Sequence, residues 1–450
     1  MAKTHTSYIC NQCKHTSIKW AGCCPSCAEW DTFTELAATA SRTSAGRPKH
    51  AAQPGNIAPL ATVTVENKPR MLSGIDEWDR VVGGGIMPNS FIMLTGDPGI
   101  GKSTLLLQVS NQLAYHHRVF YFSTEESLGQ VKLRAERIGP IADNLYTSDQ
   151  TDLEEIIATA QQEKPDILII DSIQNCHMPS LQSAPGSVVQ LRESTFALMR
   201  LAKGEGITVV VTGHITKEGT MAGPKTVEHM VDAVLYLQGE DRWHSRVLRG
   251  VKNRFGTVNE IGFFEMEQNG LREITNINEH LLSEASHSPG SALICTVEGS
   301  RPLLLELQAL TIESKLAMPQ RVVSGIDHKH VVLIAAILQK YLQVKLSTHD
   351  IFFKVSGGFK IKSSVVDLGI ALALLSSYFQ QPLPKQSIAL GEISLTGQIK
   401  PINQISMLMP EIKKFGIQQL FLAKNQTTAG LPCSAQRFHS VYQLLTLFDL

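Results

Sequence analysis

The chain has no run of about 18 apolar residues, so no membrane-spanning helix is expected. Its start, MAKTHTSYIC, lacks the apolar segment of a signal peptide, so a cytoplasmic, reducing location is expected. Neither sign of charge is in excess: 41 Lys and Arg balance 41 Asp and Glu. Bulk charge therefore gives no sign of nucleic-acid binding, and any such surface must be a local patch. No internal repeat is visible. Between Leu36 and Val65 there is not one acid. Ala, Thr, Ser, Pro and Gly dominate there, and Arg42, Arg47 and Lys49 supply positive charge. Residues 36–67 therefore read as a flexible linker. What is present supports full-sized cores: 450 residues, 43% hydrophobic, enough for about two to four domains.

Residues 96–103 read Gly96-Asp97-Pro98-Gly99-Ile100-Gly101-Lys102-Ser103, a complete G-x-x-x-x-G-K-[ST] phosphate loop. Apolar, strand-like residues 90–95 precede it, and residues 104–113, from Thr104 on, have helical spacing. That context is what the motif requires. Glycines let backbone N–H groups turn inward around phosphates, and the helix N-terminus adds partial positive charge. The expected ligand is ATP with Mg²⁺, held by residues 96–104 together with Asp171. Lys102 is expected on the β- and γ-phosphates and Ser103 on the metal.

Ile167 to Ile170 are four apolar residues ending in Asp171, a buried parallel strand with a carboxylate at its end. Asp171 is the expected Mg²⁺ partner of Ser103. A further strand, Val119 to Ser123, runs into Thr124-Glu125-Glu126. Glu125 is the leading candidate to position the attacking water, with Glu126 the alternative. The competing reading is a helix start, capped by Ser123 or Thr124 with acids in its first turn. The strand from Ile207 to Thr212 leads to His214, either a γ-phosphate sensor or a polar loop residue.

Cys10-x2-Cys13 and Cys24-x2-Cys27 are two knuckles with ten residues between them. Four thiolates at that spacing suit tetrahedral Zn²⁺, and the module's folding should depend on the metal. Cys23 is a fifth cysteine nearby; Cys24 keeps the C-x2-C spacing. Trp20, Trp30 and Phe33 are expected to cover the module. A disulfide pair is the alternative, disfavoured by the reducing location. Cys176, Cys295 and Cys433 read as ordinary buried thiols.

The expected organisation is a zinc ribbon at 1–35, the linker, an α/β ATPase core at 68–283, a seam at 283–290, and an α+β domain at 290–450. This order resembles the bacterial RadA/Sms DNA-repair proteins over essentially the whole chain. The most specific match is Lys252-Asn253-Arg254-Phe255-Gly256, which looks like that family's KNRFG motif. Support comes from Met71 to Glu77 with Gly83 to Ile86, and from the stretches 183–190 and 213–225. The resemblance implies a RecA-like ATPase that assembles into a homo-oligomeric ring. It implies binding of single-stranded and branched DNA, branch migration, and recombinase or helicase partners. By its own residues, the run at 249–254 places Lys252 and Arg254 on one side of an extended strand. Two such cations suit a finger pair on a neighbour's γ-phosphate, DNA-backbone contact, or a solvated face. Candidate DNA loops lie at 179–192 and 217–225, where Lys217 and Lys225 could hold phosphates or stay solvated.

Residues 362–377 and 391–402 resemble the proteolytic domain of Lon proteases. Lon-type chemistry needs a serine nucleophile and a lysine base. The resemblance puts Asp367 at the serine position and Ser406 at the lysine position, and Ser363 and Ser364 are out of register. A non-proteolytic scaffold is expected, with Lys345, Lys354, Lys360 and Lys362 as a DNA-facing set. Two other classes compete with a DNA-dependent ATPase: a Lon-like protease relative, and a RecA-group nucleotide switch binding only protein partners.

Overall fold

The structure, a computed structural model, describes residues 7–17, 19–36, 59–62, 69–214, 226–239, 245–258, 260–403, 405–427 and 433–448. They belong to two compact units, Met1–Asn67 and Lys68–Leu450. Most of the expected linker lies outside the described residues. Among these, no helix is long and apolar enough to cross a membrane.

The first unit carries β1 (Ser7–Cys10), β2 (Thr16–Ser17) and β3 (Phe33–Leu36), an antiparallel sheet in the order β2-β1-β3. Its core is only Cys10, Cys24 and Phe33, too little apolar surface to hold a fold by burial alone. The Sγ atoms of Cys10, Cys13, Cys24 and Cys27 lie within 4.8 Å of one another. Two of their separations are 3.5 Å (Cys13 to Cys24) and 3.8 Å (Cys10 to Cys27). A tetrahedron with metal–sulfur arms of about 2.3 Å has edges near these values, so the four thiols fit Zn²⁺. A backbone N–H at Cys13 and the Thr32 hydroxyl lower the Cys10 pKa to about 6, whereas at Cys27 the pull of a backbone N–H at Glu29 is outweighed by burial and the neighbouring thiols, which raise the pKa. Cys23 is outside this cluster, its Sγ turned to the Ala28 carbonyl. The expected aromatic cover is not there. Trp20 is 57% exposed and Trp30 75%, and both flank Gly22; Phe33 alone is buried. The inward-turned thiols fill the centre and leave no room for indoles.

The second unit opens with α1 (Asp76–Val81) and then alternates strand and helix: β4 (Phe91–Gly96), α2 (Lys102–Leu113), β5 (Val119–Ser123), α3 (Leu128–Ile138), β6 (Leu145–Ser148), α4 (Leu153–Glu163), β7 (Ile167–Asp171), α5 (Val188–Glu205), β8 (Thr208–His214) and α6 (Thr226–Met230). Four strands follow: β9 (Ala233–Gly239), β10 (Ser245–Asn253), β11 (Ile261–Glu267) and β12 (Gly270–Glu273). They form one nine-stranded sheet in the order β12-β11-β10-β9-β4-β8-β7-β5-β6. It is parallel from β6 to β9 and antiparallel beyond. Strands β4, β5 and β7 are buried at every residue, as expected of parallel strands covered on both faces.

A second sheet is built from β13 (Ser291–Glu298), β14 (Arg301–Glu313), β15 (Arg321–Ser324), β16 (His349–Val355), β17 (Ser387–Leu390), β20 (Gln419–Ala423) and β21 (Ser434–Phe438), reached through α7 (Ile277–Ser283). Helices α8 (His328–Leu342), α9 (Asp367–Phe379) and α10 (Ile405–Lys414), and the hairpin of β18 (Glu392–Ile393) and β19 (Ile399–Lys400), complete it. Strands β17 and β18 are separated at Gly391, whose N–H turns to the Val365 carbonyl. One apolar core joins the sheets: Val247, Ile261 and Phe263 pack in a cluster with Leu281, Leu303 and Leu305. Beside it, Arg301 donates to both oxygens of buried Glu77, at 2.9 and 2.7 Å.

The ribbon generates a test. Replacing Cys10 and Cys13 together should remove zinc from the purified protein, as should Cys24→Ser, whereas Cys23→Ser should keep it. Metal analysis showing zinc lost with Cys23→Ser but kept with Cys24→Ser would contradict this geometry.

Candidate nucleotide site

Gly96, the last residue of β4, has no room for a side chain: a Cβ there would lie 2.2 Å from the Leu237 carbonyl oxygen. Gly101, at φ +112°, turns the chain into α2 against Met266. Lys102 opens that helix and is 5% exposed. Its Nζ donates to the carbonyls of Gly96 and Asp97, both at 2.9 Å. Burial lowers its pKa, and the carboxylates of Asp171, Glu125 and Asp97 oppose that. Thus the structure brings Lys102, Asp171, Glu125 and Asp97 into one electrostatic neighbourhood. His214 ends β8 with its backbone paired to Gly96.

Strands β5 and β7 are neighbours, with Ser123 opposite Asp171. Both oxygens of buried Asp171 are held: the Tyr121 hydroxyl donates to Oδ2 at 2.7 Å and the Thr212 hydroxyl to Oδ1 at 2.5 Å. Tyr121 and Thr212 escape sequence reading because each sits inside an apolar strand. Neither stands out by position: Tyr121 is paired with Ile169, two residues short of the acid on the neighbouring strand, and only the folded sheet brings its hydroxyl to Asp171. The following residues interlock: Thr124 and Ser172 exchange hydrogen bonds at 2.8 Å, and the Ser172 hydroxyl donates to Glu125 Oε1 at 2.5 Å. Glu126 is instead ion-paired with Arg134. Helix α3 starts later than the competing reading required. Its cap is Ser127, in a capping box with Gln130, and neither Ser123 nor Thr124 plays that part. The separation of roles is physical: Glu125 faces Lys102 while Glu126 faces the helix.

The structure does not bring Lys252 and Arg254 to this chain's own phosphate loop. Asn253 pairs with Ala233, which pairs with Ile92, and Gly96 lies four residues further along β4. That is roughly 13 Å of strand. Nor do the two cations share one extended strand: β10 is bulged between Gly250 and Lys252 and ends at Asn253. They converge by another route. Lys252 Nζ donates to the carbonyls of Glu228, His229 and Val231 at the end of α6. Arg254 donates to His229 O and to Asp232 Oδ1. Asn253 and Gly256 fix the turn, the first through Val82 O at 3.2 Å, the second by close packing on Gly83. The Phe255 carbonyl accepts from Arg70 at 2.6 Å. These contacts lie at the C-terminal end of α6 (Thr226–Met230). Lys217 and Lys225 themselves lie outside the described residues. The other candidate loop ends at Ser187, which caps α5, so residues 188–192 are helical.

In the C-terminal sheet, Asp367 is buried at the start of α9. It accepts the Ile393 N–H at 3.0 Å and lies 2.5 Å from His330 Nε2, a contact that raises the histidine's pKa. Ser406 is exposed on α10.

The Asp171 geometry yields a test. Tyr121→Phe and Thr212→Val each remove a hydrogen bond to a charged group, about 1.5 kcal/mol. The Mg²⁺ concentration for half-maximal nucleotide hydrolysis should rise roughly tenfold in each. An unchanged Mg²⁺ dependence in both would remove them from the site.

Three family models match separate parts of the chain. Residues 8–35 match the family model "Rubredoxin metal binding domain", 70–220 the model "AAA domain", and 325–426 the model "Subunit ChlI of Mg-chelatase". Solved structures with some likeness include "Crystal structure of the RadB recombinase", 19% identical, covering 45% of this chain and 99% of that one at a TM-score of 0.37. "The Structure Of A DnaB-Like Replicative Helicase And Its Interactions With Primase" is 16% identical, covering 45% and 61% at a TM-score of 0.40. Whole-chain relatives are much nearer. A Halalkalibacterium halodurans protein named "DNA repair protein RadA" is 42% identical over 94% of this chain and 93% of its own length. Its Pseudomonas aeruginosa namesake is 42% identical over 96% of each. The Bacillus subtilis one is 41% identical over 94% and 93%. At this identity, sustained over nearly the full length, the chain belongs to the RadA family of DNA repair proteins.

Proposed function

We propose that the chain is a DNA-dependent ATPase of recombinational repair, working as a homo-oligomeric ring on single-stranded and branched DNA. In this reading residues 68–283 are the ATPase domain and 290–450 a Lon-protease-like scaffold without peptidase activity. Lys102 would hold the β- and γ-phosphates. Ser103 and Asp171 would hold Mg²⁺, which neutralises charge on the phosphoryl oxygens. Glu125 would orient the attacking water, since it is the acid turned toward Lys102. Peptide cleavage lacks its groups: a carboxylate engaged with His330 and Ile393 stands where the serine nucleophile is needed.

One observation carries the coupling to DNA. Lys252 and Arg254 lie at the opposite end of β4 from their own phosphate loop, yet they hold the C-terminal end of α6, the helix that follows the candidate DNA stretch 217–225 in sequence. We read a group so placed as serving a neighbouring subunit's γ-phosphate and its own DNA-binding stretch at once. Such cations contribute most where phosphate charge develops.

The test is hydrolysis with and without single-stranded DNA. The wild-type rate should rise on adding DNA. Lys102→Ala should abolish turnover in both conditions. Arg254→Ala should still bind nucleotide, because the phosphate loop is untouched, and should lose the stimulation. DNA-stimulated turnover at the wild-type level in Arg254→Ala would return Arg254 to a solvated surface residue and leave the reading without its link.

A further inference from the structure

Asp232 is 2% exposed and lies between α6 and β9. Three groups converge on its carboxylate. The Phe91 N–H, at the start of β4, donates to Oδ2 at 3.0 Å. Lys203, in the last turn of α5, donates to the same oxygen at 2.6 Å. Arg254 donates to Oδ1 at 3.3 Å. The backbone is tied in as well: Asp232 N–H donates to Phe91 O at 2.8 Å, and Arg254 N–H to Asp232 O at 3.0 Å.

The two cations are held unequally. Lys203 makes a short, charge-assisted bond, and its ammonium also lies 5.9 Å from the centre of the Phe255 ring. Both bonds of Arg254, at 3.3 and 3.4 Å, are near the outer limit of hydrogen bonding, and its side chain is 55% exposed. A buried carboxylate stripped of all its cations is strongly destabilising. Here Arg254 can leave while Lys203 and the Phe91 N–H remain. The departure is therefore cheap in a way that a lone ion pair would not allow.

Resting on the reading of Arg254 given above, we propose that Asp232 is a positioning residue that holds Arg254 in reserve, in competition with a phosphate group of the neighbouring nucleotide. Lys203 is the counter-charge that makes release possible. Helix α5 extends this link outward. From its start at Val188, just after the 179–187 segment, it runs about 23 Å to Lys203. Strand β4 extends it the other way, to the phosphate loop. Movement of the 179–187 segment thus bears, through α5 and Lys203, on the grip that Asp232 has on Arg254.

Two substitutions test this because they act in opposite directions. Asp232→Asn keeps an acceptor for the Phe91 N–H but loses the charge that detains Arg254. Hydrolysis without DNA should rise roughly two- to fivefold, the size of a half-exposed ion pair, and the stimulation by single-stranded DNA should shrink. Lys203→Gln leaves Arg254 as the remaining cation on a buried carboxylate. It should be held harder, and the DNA-stimulated rate should fall by a similar factor. Adding Arg254→Ala to Asp232→Asn should remove the rise. A merely structural role would lower the rate in both single variants, and that result overturns the proposal while the Arg254 reading stands. Wild-type DNA-stimulated turnover in Arg254→Ala overturns both. Should Asp232→Asn fail to fold by thermal unfolding, Lys203→Gln decides alone: an unchanged or raised DNA-stimulated rate refutes the clasp.

Discussion

The whole second unit depends on burying β4 in the middle of its sheet. Each residue from Phe91 to Gly96 is buried, with β8 on one side and β9 on the other. A strand so confined cannot shift without its neighbours, so its two ends are mechanically one object. At its C-terminal end the chain must turn sharply under Leu237, and only glycine passes there. That turn fixes the phosphate loop and sets Lys102 against Asp171. At its N-terminal end the Phe91 amide is fastened to Asp232, and through it to Arg254 and Lys203. The phosphate loop and the basic motif thus occupy opposite ends of one strand, the placement on which the proposed contact with a neighbouring subunit's nucleotide rests.

Much of this is legible in the residues themselves. A complete phosphate loop between a strand and a helix seldom arises without a nucleotide to hold, and an apolar run closed by Asp171 completes it. The knuckle spacing of the cysteines finds the metal cluster down to the choice of Cys24 over Cys23. These succeed because backbone geometry and ligand number dictate residue type at fixed offsets. What escapes is whatever depends on register between distant strands. Tyr121 and Thr212 lie far from Asp171 along the chain, in opposite directions, and only sheet order makes them its partners. Asp232 and Lys203 are single charges in ordinary contexts, joined through α5. The two tryptophans of the ribbon mislead for a related reason. Around four inward-turned thiols and Phe33, the two indoles find no interior to enter.

In the C-terminal sheet, Asp367 is buried at the start of α9 and is engaged by His330 and a backbone amide. Helix α9 is buried over nearly all its length, and the core beneath it is continuous with β10 and β11 of the first sheet. A core shared in this way makes the two sheets one packed body rather than tethered modules.

The central claim is that Arg254 acts on a neighbour's nucleotide. Its most direct test mixes two inactive proteins, Lys102→Ala and Arg254→Ala, and measures DNA-stimulated hydrolysis. In mixed rings some interfaces pair an intact phosphate loop from one subunit with an intact Arg254 from the next. The account predicts hydrolysis that neither protein shows alone. A mixture no more active than its parts, in rings shown to exchange subunits, would contradict it.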